Sequence, residues 1–429
     1  MKKIVIVGGG AGGLELATDL GDKLGKNNQA EITLIDKNSY HLWKPLLHEV
    51  ATGVLDEQVD NIFYASQAQQ HHFLFTQGTF SNIDRQNKQV IITDFQDETV
   101  SIRYDILVVA IGSTSNDFGT PGVNEHCIFL DDQNAAIQLR ETLITKFSSF
   151  CSMVDQNATS NSDKIRIAIV GGGATGVELA SELPHMVDAF GACRHNKMCS
   201  ELLEVAVIEA TDRILPALPE DTALSITNTL QKRGINVLTN TMITKAESDG
   251  FYPKDGNTIK ADIMIWTAGV KAPDYLKEIA GLESSRSNQL VVKPTLQTTR
   301  DDSIFVIGDC AYAMQGNGRA APPSAQAAHQ MAKICFENII RSLNNKPMKS
   351  FKYIDNGTII SLHDTAQGVI KLLGKSQMGV KGFLALMIHR FLYRTHQANL
   401  LGIFKTMRFA RASKFMYKTK STSIFTHRD

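Results

Sequence analysis

The chain has 429 residues, a length that predicts two or three domains. It contains 44 basic and 44 acidic residues, so its formal charge of zero argues against a nucleic-acid-binding protein. Its six cysteines are scattered without a C-x-x-C or a metal-binding spacing, as is typical of a reduced cytosolic compartment. No stretch reaches about 18 uncharged apolar residues, and the run "IVIV" is too short for a signal peptide, so we expect neither a transmembrane helix nor a secretory leader.

A glycine-rich decamer, "GGGAGGLELA" (8–17), follows the β-branched run "KKIVIV" and precedes a helical pattern. G-x-G-x-x-G at a strand-to-helix turn predicts a dinucleotide-binding loop. Gly8 permits the tight turn, Gly10 lets a pyrophosphate approach the backbone, and Gly13 lets the helix pack on the strand. The next predicted strand, "EITLID", ends in Asp36, which can accept an adenosine ribose hydroxyl. A glycine turn that merely joins strand to helix is the alternative.

The run "YDILVVAIGS" (104–113) predicts a further buried strand that ends at Gly112. The polar stretch 148–164, "SSFCSMVDQNATSNSDK", is interpreted as a linker. Together these features place the end of a first unit near residue 118.

The decamer returns as "GGGATGVELA" (171–180), with eight of its ten letters identical. Gly171, Gly173 and Gly176 have the same predicted roles, and "LEVAVIEA" supplies Glu209 as the acid. The wider spacing requires an insertion, which we predict as an extended helix and loop over 185–201. The run "ADIMIWTAGV" then predicts a strand that ends at Gly269. Two phosphate sites imply two dinucleotides, and a bound flavin with a passing nicotinamide would give a path for hydride, which favours FAD with NAD(P)H.

Two further motifs come after the second glycine-rich unit in the sequence. The strand "SIFVIGDCA" (303–311) places Gly308 and Asp309 at its carboxyl end, where ligands bind in open α/β sheets, although a helix cap is an equal alternative. The segment 321–330, "APPSAQAAHQ", is predicted as a proline-started helix with Gln326 and Gln330 on one face. By itself, without the context of a family, that face favours the alternative of a helix surface with two amides.

Residues 381–420 contain nine Lys or Arg and no Asp or Glu, so residues 1–380 have a net charge of −9. Apolar residues recur there at helical spacing and form two stripes: Leu384, Met387, Ile388, Phe391 and Leu392, then Leu400, Phe404 and Met407. An apolar stripe flanked by basic residues predicts a helix that lies in a membrane interface. A core-packing helix with a solvated basic face is the alternative.

The chain resembles the type II NADH:quinone oxidoreductases, the single-subunit, non-pumping respiratory NADH dehydrogenases, over essentially its whole length. The motifs that carry the resemblance are "IVIVGGGAGGLELA", "HLWKPLLHEVATG", "IVGGGATGVELA", "VIGDCA", "PPSAQAAHQ" and "FLYRTHQANLLGIFKT". It implies an α/β fold with two Rossmann-like dinucleotide-binding domains, for FAD and NADH, and a C-terminal amphipathic helical membrane-binding region. The implied bounds are 1–118 and 286–380 for the FAD domain with the quinone-site helix, 119–162 for a connecting segment, 163–285 for the NADH domain and 381–429 for the membrane-association region.

The resemblance also assigns roles by residue. The expected FAD contacts are Gly8, Gly10, Gly12, Gly13, Asp36 and Asp309, with Lys44 and Pro45 near the flavin ring and Gly112 and Gly308 at strand ends. The expected NADH contacts are Gly171, Gly173, Gly176, Glu209 and Gly269, with Glu178 beside the nicotinamide. Gln326 and Gln330 match the family's quinone motif. Glu178, Lys44, Gln326 and Gln330 are therefore the expected catalytic residues, and no metal is expected.

The expected reaction transfers hydride from NADH to flavin N5 and then two electrons to ubiquinone or menaquinone, without proton pumping. We expect a peripheral protein on the cytoplasmic face of the bacterial inner membrane, bound to anionic lipid through 381–420, and a homodimer is compatible with the sequence. Disulfide reductases need a cysteine pair after the first loop, and residues 37–60 contain none. Two alternatives stay open. One is a sulfide:quinone oxidoreductase that uses Cys127, Cys193, Cys199 and Cys310, and the other is a non-catalytic NADH-sensing flavoprotein.

Overall fold

A computed structural model of the chain describes residues 1–41, 43–55, 61–155, 164–192, 202–372, 376–402 and 406–407. These residues form two compact units, each assembled from three separate stretches of chain. The first unit draws its described residues from Met1–Trp43, Asn61–Thr114 and Val270–Ile354, and the second from Lys44–Asp60, Ser115–Gly269 and Asp355–Asp429.

The α-helices are numbered here in chain order. Within the described residues they are α1 (Ala11–Leu20), α2 (Leu47–Ala51), α3 (Tyr64–Gln70), α4 (Val123–His126), α5 (Gln133–Asp155), α6 (Ala174–Ala192), α7 (Glu220–Lys232), α8 (Ala325–Leu343) and α9 (Phe383–Leu401). Of these helices, none is long and apolar enough to cross a membrane.

A five-stranded parallel sheet forms the centre of the first unit. In spatial order its strands are Ile304–Val306, Ile106–Val109, Lys2–Val7, Ala30–Asp36 and Leu74–Gln77. Residues 4–7 and 106–109 are all buried. Continuous apolar, β-branched runs of this kind are typical of parallel strands that are covered on both faces of the sheet. The prediction of parallel strands before and after the first loop is therefore confirmed.

Smaller antiparallel sheets complete the first unit, and α1 packs against α8. The sheets are Thr79–Asp84 with Gln89–Thr93 and Thr99–Arg103, and Tyr40–His41 with Ile62–Phe63. A short parallel pair joins Leu290–Val291 to Ala311–Tyr312.

The second unit repeats the same plan. Its parallel sheet has the spatial order Ile128–Phe129, Ile263–Trp266, Ile165–Val170, Leu203–Ile208 and Asn236–Leu238. In both sheets the strand before the glycine-rich loop is central, and its neighbour is the strand that ends in the acid Asp36 or directly before the acid Glu209. The α/β fold with two Rossmann-like sheets, predicted from the repeated decamer, is thus confirmed.

Two antiparallel sheets belong to the second unit as well. They are Ile243–Glu247 with Gly250–Pro253 and Ile259–Lys260, and Gly357–Leu362 with Thr365–Leu372 and Ser376–Gly382. The helix α9 packs on the second of these sheets through the buried side chains of Ala385 and Leu386, which contact Ile359 and Ala366.

The predicted linker 148–164 is wrong in its first half. The helix α5, whose buried side chains Leu139, Leu143 and Phe147 recur every four residues, continues through it to Asp155. Residues 156–163 lie outside the described residues.

The predicted proline-started helix is also corrected. Pro322 and Pro323 precede α8, which begins at Ala325 with Ser324 as its N-cap. The Ser324 hydroxyl accepts a hydrogen bond from the backbone N–H of Ala327 at 3.2 Å, which satisfies one of the free donors of the first turn. The predicted insertion at 185–201 begins as a helix, since α6 extends to Ala192, and residues 193–201 lie outside the described residues. The functional domain bounds stay a prediction, because a compact unit does not by itself show what it binds.

Candidate active site

The first glycine-rich loop has a geometry that requires glycine at two positions. Gly8 adopts φ +102°, and a Cβ on Gly13 would lie 1.8 Å from the Gly8 carbonyl oxygen. Gly10 differs, because among the described residues no atom lies within 4 Å of where its Cβ would be. The Asp36 carboxylate accepts a hydrogen bond from the Gly9 N–H at 2.7 Å, and burial raises the pKa of Asp36.

The second loop reproduces this arrangement. Gly171 adopts φ +113°, and a Cβ on Gly176 would lie 2.1 Å from the Gly171 carbonyl oxygen. Around Gly173 no described atom would contact a Cβ within 4 Å. The Glu209 carboxylate accepts from the Gly172 N–H at 2.9 Å. In both loops, therefore, the first and third glycines are required by the fold, whereas the second borders open space.

Backbone hydrogen bonds around the two loops also correspond in pairs. The pairs are Gly8 N–H to Ile35 O (2.7 Å) with Gly171 to Ile208 (2.8 Å), Leu14 to Gly10 with Val177 to Gly173 (both 3.1 Å), and Ala110 to Val7 (2.7 Å) with Thr267 to Val170 (2.8 Å). The helices α1 and α6 therefore start in the same geometry, with the positive ends of their dipoles at the loops. A helix N-terminus of this kind is suited to bind phosphate.

A third acid lies at the carboxyl edge of the first unit's sheet. Asp309 occupies a short 3-10 turn, Gly308–Cys310, directly after the strand Ile304–Val306. Its carboxylate accepts a hydrogen bond from the Ser113 hydroxyl at 2.8 Å, and its backbone carbonyl accepts from the Gln289 side chain at 2.8 Å. Ser113 follows the strand that ends before Gly112, so two neighbouring strand ends meet here.

Three more of the predicted glycines occupy restricted positions. Gly112, Gly269 and Gly308 all have positive φ, at +75°, +67° and +75°. A Cβ on Gly12 would lie 3.0 Å from the Ala328 carbonyl oxygen, which explains how α1 approaches α8 closely. The local backbone conformation or the close packing of two helices therefore already accounts for glycine at these four positions.

Glu178 lies in the second unit on α6, one turn after the loop, and only 6% of it is exposed. Its Oε1 accepts a hydrogen bond from the Ser361 N–H at 2.9 Å, across 183 residues of chain. Burial raises the pKa of Glu178 to about 8, more than the Ser361 hydrogen bond lowers it. Glu178 is therefore mostly protonated at neutral pH.

Two histidines face this carboxyl group. His48 Nδ1 lies 3.7 Å from Glu178 Oε2, and His389 Nε2 lies 3.9 Å from Glu178 Oε1. His48 is 1% exposed, so its ring is shielded from water on all sides. Burial lowers the pKa of His48 to about 4, so His48 is neutral beside a protonated Glu178.

A second buried carboxylate lies one helical turn further along α6. Glu182 Oε2 lies 2.6 Å from His363 Nδ1, and the His363 ring stacks on His185 with centroids 3.8 Å apart. Sequence reasoning missed this group, although the four-residue spacing from Glu178 to Glu182 places both acids on one helix face.

The two predicted amides on α8 form hydrogen bonds with the last two residues of the first unit, Tyr353 and Ile354. Gln326 Oε1 accepts a hydrogen bond from the Tyr353 hydroxyl at 2.8 Å. Gln330 pairs with the backbone of Ile354, because its Nε2 donates to the Ile354 carbonyl at 2.8 Å and its Oε1 accepts from the Ile354 N–H at 2.9 Å. His329 faces another side of α8, where its Nδ1 lies 2.5 Å from Glu15 Oε2. No motif in the sequence pointed to Tyr353.

Lys44 opens a 3-10 turn, Lys44–Leu46, and its side chain is exposed. The turn leads directly into α2, which holds His48. The position of His48 four residues after Lys44, in the same quoted motif, is the one signal that could have found it from sequence.

The structure therefore distributes the predicted site residues over its two units. The first unit holds Gly8, Gly10, Gly12, Gly13, Asp36, Gly112, Gly308, Asp309, Gln326 and Gln330, and the second holds Lys44, Gly171, Gly173, Gly176, Glu178, Glu209 and Gly269. Within each unit, the glycine-rich loop, its acid and a further strand end meet at the carboxyl edge of a parallel sheet, where open α/β sheets bind ligands.

A family model described as pyridine nucleotide-disulphide oxidoreductase matches residues 2–332. The chain is 47% identical, over 94% of its length and 95% of the relative, to a type II NADH:quinone oxidoreductase of Haemophilus influenzae. The chain belongs to the type II NADH:quinone oxidoreductases. It is also 30% identical to an enzyme of the same name from Staphylococcus aureus, over 89% of this chain and 92% of that one.

Two solved structures of other proteins share the fold of this chain. NDH2 from Plasmodium falciparum, in complex with NADH, matches with a TM-score of 0.82 at 18% identity, over 98% of each chain. The sulfide:quinone oxidoreductase of Aquifex aeolicus matches with a TM-score of 0.73 at 17% identity, over 100% of this chain and 96% of that one. The family predicted from the motifs is confirmed by the 47% identical relative, whereas the sulfide enzyme shares the fold alone.

Two cysteines considered for sulfide chemistry are unsuited to it. Burial raises the pKa of Cys127 and of Cys310 to about 12, so both remain thiols at neutral pH. The thiolate is the nucleophilic form of cysteine. Cys193 and Cys199 lie outside the described residues.

Proposed function

We propose that this protein oxidises NADH and reduces a membrane quinone, with FAD as its resident cofactor. The observation that carries the proposal is the duplicated loop: two parallel sheets present the same glycine geometry, the same helix start and an acid bonded to the second residue of the loop. Two dinucleotide sites in one chain suit hydride transfer between a nicotinamide and a flavin.

The first unit would hold FAD. The open space at Gly10 fits the approach of a pyrophosphate to the backbone, which a Cβ there would obstruct. Asp36 would accept an adenosine ribose hydroxyl, and Asp309, held by Ser113, would accept from the ribityl chain. When bound, FAD supplies a hydride acceptor that can return two electrons.

The second unit would bind NADH through its own loop, with open space at Gly173. Glu209 would accept a ribose 2′-hydroxyl and repel a 2′-phosphate, which favours NADH over NADPH. Glu178 lies one turn into α6, where it would border the nicotinamide. Lys44 would lie near the flavin ring, and Gln326 would donate a hydrogen bond to a quinone carbonyl.

The helix α9 would bring the protein to the lipid that dissolves its quinone. Its inner face is buried, but four apolar side chains of the first predicted stripe are exposed: Leu384, Met387, Phe391 and Leu392. Phe383 extends this patch, which we call the α9 apolar face, and Ile388 is half-buried against the sheet beneath. Of the second stripe, Leu400 is buried, Met407 is exposed and Phe404 lies outside the described residues. An exposed apolar face with Lys381 and Arg390 beside it suits an anionic cytoplasmic leaflet.

A steady-state assay that crosses NADH and NADPH with ubiquinone and menaquinone tests the proposal. We expect turnover with NADH to exceed turnover with NADPH strongly, and Glu209→Ala to narrow the difference chiefly through NADPH. Anaerobic mixing with NADH alone should bleach the flavin, and quinone should restore its colour. NADH oxidation that does not respond to any quinone, or reduction of the flavin by sulfide instead of NADH, would defeat the proposal.

A further inference from the structure

The amide of Gln326 is held from one side by a phenol. The Tyr353 hydroxyl donates to Gln326 Oε1 at 2.8 Å, although the two residues are 27 positions apart. A carboxamide has an accepting end and a donating end, and a half-turn about its last bond exchanges them. A donor fixed at the oxygen therefore selects one of the two orientations.

Tyr353 in turn is held by two further glutamines. Its backbone N–H donates to Gln315 Oε1 at 2.9 Å, while the neighbouring residue, Ile354, is bonded at both its N–H and its carbonyl to Gln330. The side chain of Gln330 thus acts as a local strand partner for Ile354. Tyr353 is partly buried, as are its hydrogen bonds to Gln315 and Gln326, whereas Ile354 is exposed and Gln330 bonds to it from the protein side.

We propose that Tyr353 and Gln330 are positioning residues for quinone reduction: Tyr353 orients the Gln326 amide so that its N–H end meets the quinone carbonyl, and Gln330 acts through Ile354 to place Tyr353. This inference rests on the proposed quinone site at Gln326. It changes the role of Gln330, which the motif alone assigned to the quinone itself. A quinone carbonyl only accepts hydrogen bonds, so an amide presented by its oxygen would repel it.

A double-mutant cycle on Tyr353 and Gln326 tests the inference. Tyr353→Phe removes one hydroxyl and should raise the quinone KM about five-fold, the scale of one neutral hydrogen bond, while kcat changes less. Flavin reduction by NADH and FAD content should remain at wild-type levels. Tyr252→Phe, which removes a hydroxyl that donates to Asp249 at 3.0 Å in the second unit, is the matched control and should leave the quinone KM unchanged.

In the Gln326→Leu background, Tyr353→Phe should have no further effect, because the amide that it orients is gone. Additive effects would overturn the positioning role while leaving the quinone site intact. A wild-type quinone KM in Gln326→Leu would overturn the proposed quinone site itself, and the inference with it. The two failures are therefore distinct.

Gln330→Leu supplies a second arm. If Gln330 acts through Tyr353, then Gln330→Leu should raise the quinone KM in the wild type but add nothing to Tyr353→Phe. A further rise in the double variant would mean that Gln330 binds quinone directly and would overturn its positioning role. Should Gln330→Leu fail to retain FAD, Gln330→Glu takes its place in the same comparison with Tyr353→Phe, because it still accepts from the Ile354 N–H and loses only the donor to the Ile354 carbonyl.

Discussion

At the scale of single residues, the environment of Glu178 reverses the usual protonation of two side chains. Burial raises the pKa of Glu178 to about 8 and lowers that of His48 to about 4. Near neutral pH the two groups face each other uncharged across 3.7 Å, which avoids the cost of desolvating an ion pair. A small rise in pH would then place a negative charge in this buried position. Perturbed groups of this kind are frequent at functional sites.

We predict that this ionisation controls flavin reduction. NADH develops positive charge on its nicotinamide as hydride leaves, and a carboxylate beside it would stabilise that charge. The rate of flavin reduction in stopped-flow mixing should therefore rise between pH 7 and 9 with a midpoint near 8, and Glu178→Gln should make this profile flat. Glu204→Gln, at an exposed carboxylate of the second unit, should keep the wild-type profile. An unchanged profile in Glu178→Gln would remove Glu178 from the nicotinamide.

The same proton provides an independent readout in thermal unfolding. Because the folded pKa lies above the unfolded value of about 4.5, the stabilising effect of protonation is complete below pH 4.5 and is lost as the pH rises through 8. Tm should thus fall less between pH 5.5 and 8.5 in Glu178→Gln than in the wild type. Equal slopes in the two proteins would contradict the raised pKa.

At the scale of elements, each glycine-rich loop separates positions needed for folding from positions available to a ligand. A Cβ at the third glycine would collide with the carbonyl of the first, at 1.8 Å in one loop and 2.1 Å in the other. A Cβ at the second glycine would contact no described atom within 4 Å. Steric need inside the protein therefore explains the third glycine, whereas it does not explain the second.

Three alanine variants separate these roles. Gly13→Ala should lower the free energy of unfolding by about 2 kcal/mol or more, because the backbone must move to admit the methyl group. Gly10→Ala should fold with near-wild-type Tm in the absence of cofactor yet bind FAD weakly, as measured by flavin retained on gel filtration. Gly173→Ala should retain FAD and raise the NADH KM. Normal FAD retention in Gly10→Ala would show that no phosphate approaches this glycine.

At the scale of the whole molecule, the C-terminal part of the chain combines net positive charge with exposed apolar side chains. The segment 381–420 has nine basic and no acidic residues, and the α9 apolar face includes Leu384 at 67% exposure and Phe391 at 65%. Apolar side chains of this size favour leaving water by about 1.5–3 kcal/mol each when fully buried. A basic residue near an anionic leaflet adds about 1 kcal/mol.

We predict that the α9 apolar face binds membranes. Leu384→Ser combined with Phe391→Ser should weaken sedimentation with anionic vesicles at least about tenfold, since two large apolar side chains are lost. Turnover with a lipid-dissolved quinone should fall, while turnover with a short-chain, water-soluble quinone should persist. Phe95→Ser, at a phenylalanine of the first unit that is 79% exposed, serves as the control. Full vesicle binding by the double variant would place the membrane contact elsewhere.

The sequence by itself determined the family, the two parallel sheets and the glycine-rich loops, because each of these depends on local patterns. A β-branched run, three glycines and an acid at a strand end are all read within some forty consecutive residues, where backbone sterics and burial act directly. The same local reasoning misplaced the start of α8 and the end of α5. The start of α8 is decided by a side-chain cap at Ser324, and α5 extends to Asp155 although its composition turns polar.

Only the tertiary structure decided which groups face the predicted acids and amides. Ser361 and Glu178 are 183 residues apart, and Tyr353 and Gln326 are 27 apart, so no local pattern relates them. The pKa of a carboxyl group depends on how completely water is excluded from it and on which dipoles point toward it. Those quantities exist only after distant segments have packed together, and for that reason the sequence named Glu178 and Gln326 but not the partners that determine their protonation and orientation.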